Sequence, residues 1–279
     1  MVNKPGGWTS HDVVARVRAL AAQKRVGHAG TLDPMAEGVL PVLLGRATRL
    51  ADVIQLGRKT YTATVQLGAS TDTDDAEGTI IGEQPAPALT DTLLEATLER
   101  FRGEIVQLPP QYSALKVGGR RAYAVARAGG AVQLAPRLVT VYELRLLEWS
   151  SKQLSFEVTC SRGTYIRALA RDIAVGLGTL GHLSRLVRTR VGPFYIDGAL
   201  SLEAIGTCSL GQAVLPASSV LPDAPRYWAT LDEAARLVNG QTVAAASPRA
   251  ESLWVVDPLG KLVCLASADG TLLRPRLVL

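Results

Sequence analysis

KTYTATVQLG (59–68) sets Tyr61, Ala63, Val65 and Leu67 against Thr60, Thr62, Thr64 and Gln66. Side chains alternate between the two faces of an extended chain, so this pattern reads as a strand with one buried and one polar face. Such a strand belongs in an antiparallel or mixed sheet, since purely parallel sheets bury both faces. Upstream, GVLPVLLG (38–45) reads as a short apolar strand. GHAGTLDP (27–34) reads as a loop, because it holds two Gly and an Asp directly before Pro, a pair that disfavours the α region. Residues 9–21 predict a helix: Thr9 or Ser10 caps it, Asp12 completes a T-x-x-D box, and Val13, Val14, Val17 and Leu20 share one face.

Downstream, TDTDDAEG (71–78) is an acidic turn, and 90–102 predicts a helix capped by Thr90 with Leu93, Leu94, Leu98 and Phe101 inward. LPPQYSALKVGG (108–119) reads as a loop before a short helix at 120–128. Extended runs at 138–149 and 153–160, around the polar residues 150–152, predict a hairpin. RGTYIRALARDIAVGLG (162–178) turns into a helix with Ile166, Leu169, Ala170 and Ile173 inward and Arg167 and Arg171 on an adjacent face. A strand near 183–191 and a helix at 201–206 follow. The fold class expected is α+β, a mixed and largely antiparallel sheet flanked by helices and loops.

At 279 residues the chain has room for one large domain or two unequal ones. The Ser-, Ala- and Pro-rich stretch 208–226 marks the boundary, giving domains 1–220 and 221–279, the second small and mostly β around a helix in LDEAARLVNG. With 47% hydrophobic and 20% charged residues, 26 Gly and 15 Pro, the composition excludes disordered and collagen-like chains. Cys160, Cys208 and Cys264 form no C-x-x-C pair, and His11, His28 and His182 are the only imidazoles, so disulfide frameworks and common zinc sites lack ligands. No run approaches the roughly 18 apolar residues of a membrane helix, and MVNKPGGWTSHD lacks a signal-peptide core. A soluble cytoplasmic protein is expected.

The net charge of +5 conceals blocks of +5 over 1–60, −7 over 61–100, +9 over 101–190 and −2 over 191–279. Of 30 basic residues 24 are Arg, whose planar fork suits phosphates and stacks on bases. The acidic turn mimics an EF-hand from Asp72 to Glu83, but its sixth position is Glu77 where the sharp turn needs Gly, so it reads as a solvated turn. No Walker loop, no G-x-G-x-x-G after a strand and no G-x-S-x-G elbow occurs in the sequence. Asp33, held in a Gly-rich loop, is left as the candidate acid or nucleophile, with Tyr61, Tyr112 and Tyr165 as possible stacking faces for bases.

KPGGWTSHDVV (4–14), RVGHAGTLDPMAEGVLPVLLGRAT (25–48), YTATVQLGASTDTDDAEG (61–78), PPQYSALKVGGRRAY (109–123) and CSRGTYIRALARDI (160–173) together resemble the motifs of the TruB family of tRNA pseudouridine synthases. The resemblance covers most of 3–206, and RLVNGQTV (236–243) is similar to part of the PUA RNA-binding domain that closes many such proteins. It implies the pseudouridine synthase fold with a small PUA-like tail, and isomerisation of uridine 55 in the T loop of tRNA by base flipping. It implies no cofactor or metal, and a monomer that binds the T arm without an obligatory protein partner. Carried onto this sequence, Asp33 is the catalytic aspartate and Arg167 its ion-pair partner. Tyr61 stacks on the target base, His28 holds the RNA loop, and Tyr165 and Leu186 line the substrate pocket. Lys116 and Lys4 lie in motifs beside the cleft. The basic blocks also fit two other readings, a tRNA-folding chaperone and a relative that modifies a different RNA.

Overall fold

A computed structural model of the chain describes residues 1–112, 116–117, 120–121, 134–207 and 210–279. The strands in chain order are β1 Val2–Lys4, β2 Val26–His28, β3 Glu37–Leu40, β4 Val42–Leu44, β5 Lys59–Leu67, β6 Ala69–Thr71, β7 Ile80–Glu83, β8 Gly103–Gln107, β9 Lys116–Val117 and β10 Arg120–Arg121. They continue with β11 Arg137–Trp149, β12 Gln153–Cys160, β13 Gly181–Val191, β14 Phe194–Tyr195, β15 Arg226–Trp228, β16 Val243–Ala244, β17 Ala250–Val256, β18 Leu262–Ala268 and β19 Leu272–Val278. The helices that matter for the site are α1 Ser10–Leu20, α2 Asp91–Glu99 and α3 Ile166–Gly176, and α4 Leu231–Val238 lies in the tail.

The main sheet runs β1-β3-β13-β5-β12-β11-β8, with β14 attached to β13. β13 and β3 are parallel and the other pairs antiparallel, so the sheet is mixed and largely antiparallel. β5 lies at its centre with the alternation its sequence carries: Tyr61, Ala63, Val65 and Leu67 are buried, and the threonines between them are half-buried. On the polar face Thr60 pairs with Thr159 and Thr64 with Ser155 through hydroxyl contacts of 3.1 and 3.0 Å, the cross-strand pairing that steadies a sheet. The apolar face packs under Val13 and Val17 of α1, Leu94 and Leu98 of α2, and Ile166, Leu169 and Ile173 of α3.

The capping signals hold. Thr9 and Asp12 form the reciprocal box at the start of α1, and the Thr90 hydroxyl accepts from the Leu93 N–H at the start of α2. Each such cap contributes about 1 kcal/mol. Three expectations need correction. GVLPVLLG is not one strand, because Pro41 lacks the N–H a continuous ladder needs; the chain breaks there into β3, which joins the main sheet, and β4, which does not. GHAGTLDP is not wholly loop, since β2 occupies Val26–His28 and pairs antiparallel with β4. The helix expected at 120–128 begins instead with the strand residues Arg120–Arg121 paired to β9, and 122–128 lie outside the described residues.

The C-terminal sheet, β15-β17-β18-β19-β16, folds around α4, which carries its own capping box of Thr230 and Glu233. It has a private core of Leu237, Leu253, Val255, Cys264 and Leu273. Trp254, Leu265 and Leu279 belong to a second cluster shared with Val39, Leu43, Leu50 and Ile54 of the larger unit. Arg46 and Arg49 reinforce this seam by donating to the carbonyls of Leu279 and Val278 at 2.9 and 2.7 Å. No helix among the described residues is long and apolar enough to cross a membrane.

Candidate active site

Asp33 stands on the loop between β2 and β3, whose backbone is tied at almost every peptide. The Arg188 guanidinium, on β13, donates to the carbonyls of Gly30 at 3.0 Å, Thr31 at 3.4 Å and Val39 at 2.8 Å. Ser10, at the head of α1, takes both polar groups of Leu32: its hydroxyl donates to the carbonyl at 3.1 Å and accepts from the N–H at 2.8 Å. Beyond Asp33, the Pro34 carbonyl accepts from the Lys4 ammonium at 3.0 Å and the Gly7 N–H at 2.9 Å, and the Ala36 N–H closes onto the Asp33 carbonyl at 3.1 Å. A loop so anchored presents one side chain in one place, the arrangement a catalytic carboxylate needs.

Arg167, on the first turn of α3, meets that carboxylate. Its Nε lies 2.9 Å from Oδ2, and its Nη2 donates to Oδ1 at 3.2 Å. The rest of the fork is engaged by the carbonyls of Thr73 and Tyr112, each at 2.9 Å, and by Asp75 Oδ2 at 3.3 Å. The Arg167 side chain is 6% exposed against 35% for Asp33, so the arginine is wall and the carboxylate is surface. One turn on, Arg171 pairs with Asp74 at 2.8 Å and donates to the Leu108 carbonyl at 3.0 Å.

The acidic turn is therefore not the solvated turn its composition suggests. Asp75 is buried; it accepts from the Thr73 hydroxyl at 2.6 Å and the Glu77 N–H at 3.1 Å, and faces Arg167. Asp72 caps the turn by accepting from the Thr79 N–H at 2.8 Å. Burial holds the Asp74 carboxyl above its ordinary range, with the arginines opposing, and burial together with Asp75 and Asp33 does the same to Glu77. The carboxylates of Asp72, Asp74 and Asp75 are already spent on the chain itself, and among the described residues no group of His, Cys, Asp or Glu is arranged to hold a metal.

A cleft of about 820 Å³ opens over the pair, lined by His11, His28, Leu32, Asp33, Asp72, Glu77, Tyr112 and Arg167 among others. His28, at the end of β2, is half-buried, and burial aided by the charges of Arg188 and His11 lowers its pKa. Tyr61 and Leu186 are not among the residues lining the cleft; both are buried, on neighbouring strands where Tyr61 pairs with Arg188 and Ala63 with Leu186. Burial raises the Tyr61 phenol, with the Arg188 charge opposing.

Tyr165 is the residue before α3, half-buried, with its backbone held at N–H and carbonyl by the fully buried Gln107 at 2.8 and 3.0 Å. Lys4 is wholly buried, its ammonium donating to the carbonyls of Pro5, Trp8 and Pro34 rather than facing the cleft. Burial pulls its pKa down to about 8. Lys116 lies in β9, and its side chain is outside the described residues.

The structure thus brings Asp33, Arg167 and His28 to one cleft, while Tyr61 and Leu186 are buried outside its lining. Sequence reading missed Ser10 as a loop anchor, Asp75 as a partner of Arg167, and the part played by Arg188. All three act on groups far along the chain, and two of them on backbone atoms, so no local pattern announces them.

A fixed, partly exposed carboxylate can act as a nucleophile or a proton acceptor, and the basic blocks around it suit an anionic polymer. Over 99% of the chain the fold superposes on a protein in "Structure of H/ACA RNP bound to a substrate RNA containing 2'-deoxyuridine", with a TM-score of 0.72 and 25% identity over 83% of that chain. It likewise matches one in "Crystal Structure of a Cbf5-Nop10-Gar1 Complex", with a TM-score of 0.73, 26% identity and 82% of that chain covered.

The description "TruB family pseudouridylate synthase (N terminal domain)" matches residues 18–166. A protein of Thermobifida fusca named tRNA pseudouridine synthase B is 45% identical over 95% of this chain and 92% of its own. One of the same name from Arthrobacter sp. is 44% identical over 100% and 95%. The chain belongs to the TruB family of pseudouridylate synthases.

Proposed function

We propose that this enzyme converts uridine 55 in the T loop of tRNA to pseudouridine, with Asp33 as the catalytic carboxylate. The observation that carries the reading is the Asp33–Arg167 pair, closed at 2.9 Å on the floor of an open cleft. Full-length relatives named for tRNA support the substrate. The target base is inaccessible inside a folded loop, so it must be flipped out, at a cost of a few kcal/mol recovered from stacking and phosphate contacts. His28 at the cleft wall meets the remodelled loop. The flipped base enters beside Asp33 and uncovers Tyr61, which stacks on it, with Tyr165 and Leu186 closing the pocket. Lys4 holds the Pro34 peptide and so acts through Asp33.

The reaction breaks N1–C1′, turns the base and forms C5–C1′; the C5 proton leaves and N1 gains one, with no net redox change. No cofactor is needed. Asp33 serves by attack on C1′, giving a sugar ester, or by removal of the C2′ proton, giving a glycal. A uridine deuterated at C2′ separates them, since only the second route breaks that bond. The C-terminal unit, taken as 221–279, is read as a PUA-like RNA contact, and the enzyme as a cytoplasmic monomer acting without an obligatory partner.

The test is a T-arm minihelix incubated with the enzyme and no other protein. Pseudouridine forms at the position of uridine 55 with wild type, and Asp33→Asn abolishes it while leaving RNA binding within about threefold. Product from the Asn variant would refute the assignment.

A further inference from the structure

Arg188 is 1% exposed, and among the described residues it forms no ion pair. Arginine is seldom buried without a carboxylate beside it, because the desolvated charge is costly. Here the fork is satisfied by three backbone carbonyls. Its backbone is equally constrained: Arg188 pairs with Gly38 on the parallel strand β3, where a Cβ on Gly38 would fall 2.2 Å from the Arg188 carbonyl oxygen.

The 30–34 loop does not depend on Arg188 alone, because Ser10, Lys4 and the Gly7 N–H already hold Leu32 and Pro34. What Arg188 adds is a bridge. Its guanidinium donates to the loop that carries Asp33, while its backbone lies opposite Tyr61 in the pairing of β13 with β5. We propose that Arg188 is a positioning residue of the isomerisation, setting the spacing between the Asp33 carboxylate and the Tyr61 ring so that both meet the flipped uridine in register. The inference rests on the reading of Asp33 as the catalytic carboxylate. The planar fork donates in several fixed directions at once, which the single ammonium of lysine does not reproduce.

The experiment compares wild type, Arg188→Lys, Arg188→Met and Asp33→Asn in single-turnover assays on the T-arm minihelix, with RNA dissociation constants and the folded fraction measured on the same samples. Arg188→Lys keeps charge and most of the volume, so it decides the matter if the Met variant does not fold. Expected is a rate, per folded enzyme, lowered about 100-fold in Arg188→Lys with RNA affinity within about twofold of wild type. A wild-type rate in Arg188→Lys overturns the proposal, because charge alone would then suffice. So does a loss confined to RNA affinity, or one that disappears on correction for the folded fraction. An active Asp33→Asn enzyme would instead remove the reading beneath it, so the two failures are distinguishable.

Discussion

Lys4 and Lys59 are both buried lysines whose ammonium groups are satisfied by backbone carbonyls, those of Gln55 and Gly57 for Lys59. Burial pulls each down to about 8 from an ordinary 10.5. Between those values the unfolded chain binds more protons than the folded one, so each lysine makes stability rise with pH across that window. Below about 8 both states are protonated and the cost of burying the charge is fully present. The buried thiols of Cys160 and Cys264, pushed up to about 11 and 12, act in the opposite sense above about pH 9. The informative quantity is therefore the difference between wild type and Lys59→Met. Urea midpoints at pH 7 and 9.5 should show that difference moving in favour of wild type at the higher pH, and a constant difference would contradict the lowered pKa.

At the scale of elements, β5 and α1 were legible because their determinants are local: period-two alternation in one, a cap and an apolar stripe in the other. The turn at Pro41 was misread since the apolar run on both sides looks continuous until one asks which peptide can donate. Gly38 gave no signal at all. Its φ of +100 and its closeness to the Arg188 carbonyl follow from how β3 and β13 come together, and nothing next to it in sequence encodes that. Gly38→Ala should cost about 3 kcal/mol or more, from left-handed strain plus overpacking against a strand backbone that cannot yield. Urea denaturation measures it, and a loss below about 1 kcal/mol would mean that β3 can slide. Likewise the approach of Asp33 to Arg167, 134 positions apart, could be expected only from family resemblance. The acidic turn looked solvated because composition does not reveal that two arginines of α3 lie over it.

Across the whole molecule, the −7 block of 61–100 is partly neutralised from within, where Arg167 and Arg171 close on Asp75 and Asp74. Other arginines of the +5 and +9 blocks remain open to phosphates. Binding of tRNA should therefore fall linearly with salt on a double-logarithmic plot, with a slope of about −0.7 to −0.9 per phosphate neutralised. A slope near zero between 50 and 200 mM salt, about two decades of affinity short of what several phosphate contacts require, would discard the electrostatic part of the account.

The seam between the two sheets has a practical corollary. Val39, whose carbonyl Arg188 grips, is also one of the apolar side chains that Trp254, Leu265 and Leu279 cover. Cutting the chain ahead of β15 to obtain a minimal catalytic fragment would bare Val39, Leu43, Leu50 and Ile54 to water on the underside of the strand that ends the Asp33 loop. Such a fragment would be both sticky and loosened at its reactive centre, so the smaller unit is better thought of as the back wall of the larger one than as a detachable handle.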